Sequence, residues 1–182
     1  MSTITYEEVL SLFKETDRRF KETERRFKET ERMIKELGRQ IGGLGDKFGY
    51  FTEGMALPSM ERILTEQFGM TTVMPRVRTR KDSEEIEIDV LAYVNDESNL
   101  AVVVEVKSRV KAEAIEQLRG MMAHFRTLYP EHKDKALVAI LAGVDWDRGL
   151  EQEARDAGFV TASIRDEIFQ LTVPEGFQAR RW

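Results

Sequence analysis

Apolar residues recur every seven positions in the first part of the chain. Residues 13–33 read FKETDRR, FKETERR, FKETERM, one heptad written three times. With Phe13, Phe20 and Phe27 at position a, Thr16, Thr23 and Thr30 fall at d. The frame extends to Tyr6, Ile34, Ile41 and Phe48 at a and to Val9, Leu37, Leu44 and Phe51 at d. A period of about 3.5 residues holds such a stripe on one helix face and predicts a left-handed coiled coil. Position e carries Asp17, Glu24 and Glu31, and position g carries Arg19 and Arg26. In a parallel pair, g of one helix meets e of the partner's next heptad, so Arg19 meets Glu24 and Arg26 meets Glu31. An antiparallel pair sets like charges together. The pattern predicts parallel self-association through residues 6–41, with two, three or four strands equally open. The competing reading is a lone helix held by intrahelical pairs such as Glu15 with Arg19. Gly38, Gly42, Gly43, Gly45 and Gly49 then weaken helix propagation. Gly42–Gly45 is expected to act as a hinge, dividing a coiled-coil arm, 1–45, from a globular domain, 46–182.

Past that junction the periodicity changes. A helix is expected from about Asp46 to Phe68, with Pro58 kinking or breaking it. Val73, Pro75 and Val77 alternate in an edge strand over Thr71–Thr79, and Lys81–Asp82–Ser83 makes a turn. Glu84–Val94 alternates strictly: Ile86, Ile88, Val90 and Ala92 on one face, Glu85, Glu87, Asp89, Leu91 and Tyr93 on the other. The valine run over Leu100–Lys107 predicts a strand buried on both faces. A helix follows over Lys111–Tyr129, with Ala114, Leu118, Met121, Phe125 and Leu128 as its core stripe. Ala136–Val144 is a second buried strand, Trp146–Gly158 a helix, and Phe159–Ile164 and Ile168–Val173 two short strands. Hairpins followed by a β–α–β crossover predict an α/β fold with a mixed sheet flanked by helices.

Composition narrows the chemistry. Of 182 residues 41% are hydrophobic, enough for a packed core, and 34% are charged, an excess that fits a long solvated helix. A net charge of −5 excludes a uniformly basic nucleic-acid coat, so any phosphate-binding surface must be local. Without cysteine, disulfide scaffolds, cysteine nucleophiles and thiolate zinc sites are excluded. His124 and His132 are too few for a histidine metal cage and read as ordinary helix or helix-end residues. Met1–Leu12 is too polar for a signal peptide, no apolar run is long enough to span a bilayer, and the cytoplasm is the expected location.

Three charged residues stand where charge is costly. Asp89 lies between Ile88 and Val90, and Glu105 and Lys107 flank Val106 inside the valine strand. Spacing i, i+2 puts Glu105 and Lys107 on one face. If the two strands pair, the three groups converge on one patch. Hard oxygen ligands such as Asp89 and Glu105 suit Mg²⁺ or Mn²⁺, and an amine beside them suits an anionic phosphate. Glu105 and Lys107 as a purely internal salt bridge is the competing reading.

This arrangement, Ile88-Asp89 followed by Glu105-Val106-Lys107, resembles the motif of the PD-(D/E)xK nuclease superfamily, with Ile88 in place of the usual proline. Gly49-Tyr-Phe-Thr-Glu53 is similar to the GxxxE on the first helix of RecB-like and Holliday-junction-resolvase-like members. The resemblance, over residues 46–145, implies a restriction-endonuclease-like fold and a metal site of Asp89, Glu105 and Glu53, with Glu61 as rival to Glu53. Gln117 resembles the polar residue on the following helix, but the tyrosine expected after it is Met121. The layout also looks like an uncharacterised bacterial family of coiled-coil-bearing members of this superfamily. Arg76, Arg78, Arg80 and Lys81 before the motif, Lys107, Arg109 and Lys111 at and after it, and Arg180 and Arg181 form a local basic band. That band suits nucleic-acid phosphates, or else is an edge strand's alternating surface charge.

The leading expectation is therefore a Mg²⁺-dependent nuclease, acting on DNA and assembled through its arm. The alternatives are a catalytically inactive nuclease-fold module recruited through the arm, and a structural coiled-coil protein with an unrelated α/β cap.

Overall fold

In the computed structural model the predicted alternation of helical and extended periods becomes one long helix followed by a six-stranded sheet with helices on both faces. The structure describes residues 6–81, 84–166 and 168–182; side chains at 8, 38–51 and 84 lie outside the description. So do the Asp82–Ser83 half of the expected turn and the apolar heptad positions Ile41, Leu44, Phe48 and Phe51. The chain divides into two compact units, Met1–Lys47 and Phe48–Trp182.

Helix α1 is assigned over Tyr6–Glu66, so its backbone remains helical through Gly42–Gly45 and through Pro58, which sits on an exposed face. In the first unit, i,i+4 pairs tie Glu15 to Arg19, Asp17 to Lys21, Glu22 to Arg26 and Glu24 to Lys28. Such exposed pairs support helicity but bury nothing. Phe13, Phe20 and Phe27 remain 71%, 70% and 71% exposed. Thr16, Thr23 and Thr30 donate their hydroxyls to the carbonyls of Leu12, Arg19 and Arg26 at 2.8, 2.8 and 2.9 Å. The hydroxyls are therefore spent inside the helix, and what each threonine offers the stripe is its methyl group.

The second unit is built on strands β1 (Thr72–Lys81), β2 (Glu84–Tyr93), β3 (Leu100–Val110), β4 (Ala136–Trp146), β5 (Val160–Arg165) and β6 (Ile168–Leu171), lying side by side in chain order. The β1–β2, β2–β3 and β5–β6 pairs are antiparallel; β3–β4 and β4–β5 are parallel. Helix α2 (Ala112–Leu128) makes the crossover between β3 and β4, and α3 (Leu150–Asp156) that between β4 and β5. Parallel strands need such crossovers, and covering both faces explains why β3 and β4 are apolar runs rather than alternating ones.

One face of the sheet packs on Ala56, Met60, Ile63 and Leu64 of α1, the other on Ala114, Ile115, Leu118, Met122, Phe125 and Leu128 of α2. The α2 stripe differs from the expected one: Met122 is buried, and Met121 is only half-buried beside it. The helix expected from Trp146 starts later. Trp146 is the last rung of β4, opposite Val110, and Gly149 at φ +85° makes the turn into α3. A left-handed backbone there favours glycine.

The loop between β2 and β3 is tied down by a buried lysine. Lys135 donates to the Val94 carbonyl at 2.6 Å and to the side-chain oxygens of Asn95 and Asn99 at 2.6 and 2.9 Å. Three acceptors satisfy all three protons of the ammonium, which makes its burial tolerable. His132 is buried beside Tyr93, Phe125 and Tyr129, and His124 lies exposed on α2. Among the described residues, no helix is long and apolar enough to cross a membrane.

Candidate active site

β2 and β3 pair over only four rungs, Tyr93 with Ala101 through Val90 with Val104. Beyond Val90 they part, while β3 continues against β4 past Lys107. On its other side β2 stays with β1, but the rungs pass from Pro75·Val90 to Val77·Ile88. Arg76 between them has φ +51°, a left-handed conformation unusual for a side-chain-bearing residue. Both strands change phase at this point. Ile86, Ile88 and Leu91 pack with the α2 side, whereas Val90, Ala92 and Val94 pack with the α1 side. The strict alternation expected for Glu84–Val94 is thus broken at Asp89. A bulge-like kink of this sort re-aims one side chain and ends strand pairing beside it.

The re-aimed side chain is Asp89. Its carboxylate reaches across the parting and accepts the Val106 backbone N–H at 2.7 Å, where a ladder bond to β2 would otherwise lie. On β3, Val104 and Val106 pack with the α1-side core, and Glu105 and Lys107 alternate with them as expected. Glu105 is 4% exposed, and the Lys107 amine stands 2.6 Å from its Oε1. Burial first, then the Glu105 charge, push the Asp89 carboxyl up to about 7, with Glu53 adding to them and the Val106 N–H and Lys107 opposing. Burial likewise raises Glu105; Lys107 opposes that rise, and Glu53 and Glu87 add to it. Asp89, Glu105, Lys107 and Glu53 therefore share one electrostatic neighbourhood.

Glu53 enters it differently from Asp89. On α1 it stands half-buried with its Oε2 3.5 Å from Arg76 Nε. With Leu57, Pro75, Arg76, Asp89, Val90 and Val106 it lines a narrow cavity of about 10 Å³. The other residues of the GxxxE string, Gly49 to Phe51, have side chains outside the description. Glu61, the rival acid, is exposed on α1, and Gln117 is exposed on α2; among the described residues no hydrogen bond ties either to Asp89 or Glu105. Glu87, which adds to the rise at Glu105, is not distinguished by the sequence. Its signal was present, two residues before Asp89 on the same strand, but its neighbouring glutamates look identical in sequence.

Most of the basic band already has acidic company. Arg78 pairs with Glu85 and Glu87, Arg80 with Glu85, and Arg109 with Asp145 and Asp147. Lys81 donates to the Thr127 carbonyl, and Lys111 is exposed at the start of α2. These exposed pairs are screened by solvent, so they describe a solvated edge strand more than a preset phosphate cradle.

Two desolvated carboxylates at one strand parting, one pushing up the proton affinity of the other, form a donor set that suits a hard divalent cation. Among the described residues, no three Asp, Glu, His or Cys side chains are gathered closely enough to hold a metal. Asp89 and Glu105 carry the hard oxygen donors such an ion takes, while Glu53 stands 3.5 Å from the Arg76 guanidinium. A wider concavity of about 280 Å³, lined by Glu85, Ile86, Gly120, Met121, His124 and Leu128, lies apart from these acids and brings no carboxylate pair together.

A family model described as a protein of unknown function (DUF3782) matches residues 8–84. No curated protein matches the chain. Among solved structures, the chain is similar to EndoMS in a dsDNA2 complex, at 19% identity and a TM-score of 0.39, covering 61% of this chain and 45% of that one. It is similar also to EndoMS in apo form, at 20% identity and a TM-score of 0.38, covering 60% and 46%. A repair endonuclease from Pyrococcus abyssi stands at 18% identity and a TM-score of 0.38, covering 59% and 46%. The chain spans less than half the length of these solved chains.

Proposed function

We propose that residues 48–182 form a divalent-metal-dependent nuclease of the PD-(D/E)xK type that hydrolyses phosphodiester bonds, with DNA as the substrate. The observation that carries this reading is the placement of two acids at one strand parting: Asp89 held by the Val106 N–H at 2.7 Å, and buried Glu105 with the Lys107 amine 2.6 Å from its Oε1. One lysine amine beside two largely buried acids leaves a place for a further positive charge. Asp89 and Glu105 would hold the ion, with Glu53 recruited as a third ligand. When bound, Mg²⁺ or Mn²⁺ there supplies charge neutralisation at the phosphate and lowers the pKa of a water. Val106 N–H fixes the Asp89 carboxylate, and Lys107 orients Glu105 and offers its amine to the water or the scissile phosphate.

The test is a cleavage screen with Mg²⁺ and with Mn²⁺ on linear, circular, branched and single-stranded DNA. Cleavage that Glu105→Ala and Lys107→Ala abolish supports the reading; equal activity in Glu105→Ala defeats it. A second reading, an inactive scaffold of the same fold, draws on the Arg76–Glu53 pair, since a cation already occupies the third acid. Calorimetry finding neither Mg²⁺ nor Mn²⁺ binding would favour it.

Self-association belongs to the same proposal. The uncovered phenylalanines, the inward-satisfied threonines and the Arg19–Glu24 and Arg26–Glu31 complementarity support a parallel coil over residues 6–41.

A further inference from the structure

The apolar face of α1 in the first unit is wider, and differently composed, than a two-stranded coil calls for. Position a holds Tyr6, Phe13, Phe20 and Phe27, none of them branched at Cβ; position d holds Val9, Thr16, Thr23 and Thr30, all branched there. Within residues 6–37 only Ile34 and Leu37 reverse that order. At d of a parallel pair the Cα–Cβ bond aims straight at the partner, which crowds a β-branched side chain. At a the bond runs alongside and leaves room for one, and four strands exchange the two geometries. The threonine hydroxyls are turned back onto the carbonyls of Leu12, Arg19 and Arg26, which fixes each side chain and leaves a methyl for the seam. The stripe also spreads beyond a and d. Leu10 at e and Leu12 and Met33 at g are 43%, 61% and 60% exposed, at positions that stay in water when only two helices meet.

We infer that this face takes three further copies of itself, forming a parallel four-stranded bundle over residues 6–37. The inference rests on the self-association reading and adds the number of chains. Closing four helices round one axis draws e and g inwards and brings b and c up to the seams. Leu10, Leu12 and Met33 then lose their water. Lysines at b (Lys14, Lys21, Lys28) come beside the acids at e, and glutamates at c (Glu15, Glu22, Glu29) beside the arginines at g. The lone helix already makes pairs of both kinds within itself, Asp17 with Lys21 and Glu15 with Arg19. Assembly therefore exchanges partners of opposite sign and strands no charge. Layers of phenylalanine alternate with layers of threonine, so the rings have the space over the methyls to fill.

The experiment uses the full chain in sedimentation equilibrium at micromolar concentration. One chain weighs 21.1 kDa, and a particle of four such masses is expected. Two or three masses overturn the number and leave the coil; a monomer overturns the coil and the inference with it. A second chain carries Phe13→Ile, Phe20→Ile and Phe27→Ile together with Thr16→Leu, Thr23→Leu and Thr30→Leu. That exchange sets the branching for two strands and is expected to halve the particle. A redesigned chain that still sediments as four overturns the inference, because branching then does not choose the number. So does a four-chain particle that persists in Phe20→Asp, since the arm is then not what joins it. Orientation is read from a spin label on Ser11→Cys, an exposed site in a chain with no cysteine of its own. Four parallel chains give two label separations in a ratio of about 1.4, the diagonal and side of a square. Any other pattern of separations overturns the arrangement.

Discussion

Asp89 is pulled two ways. The Val106 N–H favours its ionised form, while burial and the Glu105 charge favour the protonated one, and the second pair wins, raising the carboxyl to about 7. The sign of the linkage follows. A carboxyl that binds its proton more tightly folded than unfolded stabilises the fold at acid pH. That contribution is complete below about pH 4 and is lost as pH climbs through the folded value. Asp89→Asn keeps an oxygen for Val106 and removes the charge. In a metal-free buffer it should stabilise the protein by on the order of 2–4 kcal/mol near pH 8 and by close to nothing near pH 4. Urea unfolding at both pH values reads this directly; a stabilisation that does not depend on pH would show that the charge is not the cause.

Among the elements, α2 and the arm make the sharpest claims. The phase of α2 puts Met122 in the core and Met121 beside it, so Met122→Ala should cost about 2–4 kcal/mol and Met121→Ala about 1 kcal/mol or less. Equal losses in denaturant melts would refute that phase. In the arm, Phe20→Asp places a charge in the middle of the stripe and should convert an oligomer to monomer in sedimentation equilibrium, with the far-ultraviolet helix signal falling as pairing is lost. A wild-type chain that sediments as a monomer at high micromolar concentration would remove the coil. Much of this layout was legible beforehand. The long N-terminal helix, the valine runs of β3 and β4 and the shared face of Glu105 and Lys107 follow from periods that survive folding unchanged. What was not legible is the phase change in β2. Ile, Val, Leu and Ala look alike when both faces of a strand are buried, so the sequence does not say at which residue the two cores exchange. The engagement of Glu53 by Arg76 was hidden for a different reason: it joins residues far apart in the chain, at a positive φ that an arginine gives no reason to expect.

For the whole molecule, a ligand that binds only the folded state adds RT ln(1 + [L]/Kd) to stability, about 2.7 kcal/mol at a hundredfold excess over Kd. Mn²⁺ should therefore raise the melting temperature of the full chain, chelator should reverse it, and Glu105→Gln should abolish the response. A Mn²⁺ shift that persists in Glu105→Gln places the ion elsewhere. The buried Lys135 gives the site a further dependence. It fastens the loop joining β2 and β3 just beyond their four shared rungs, whereas the acids stand where the same two strands come apart. The hairpin works like a clothes-peg, gripped at the spring and gaping at the jaws, and the width of the jaws is set from the gripped end. Loosening that spring with Lys135→Met would remove none of the acids, yet let the span between Asp89 and Glu105 wander.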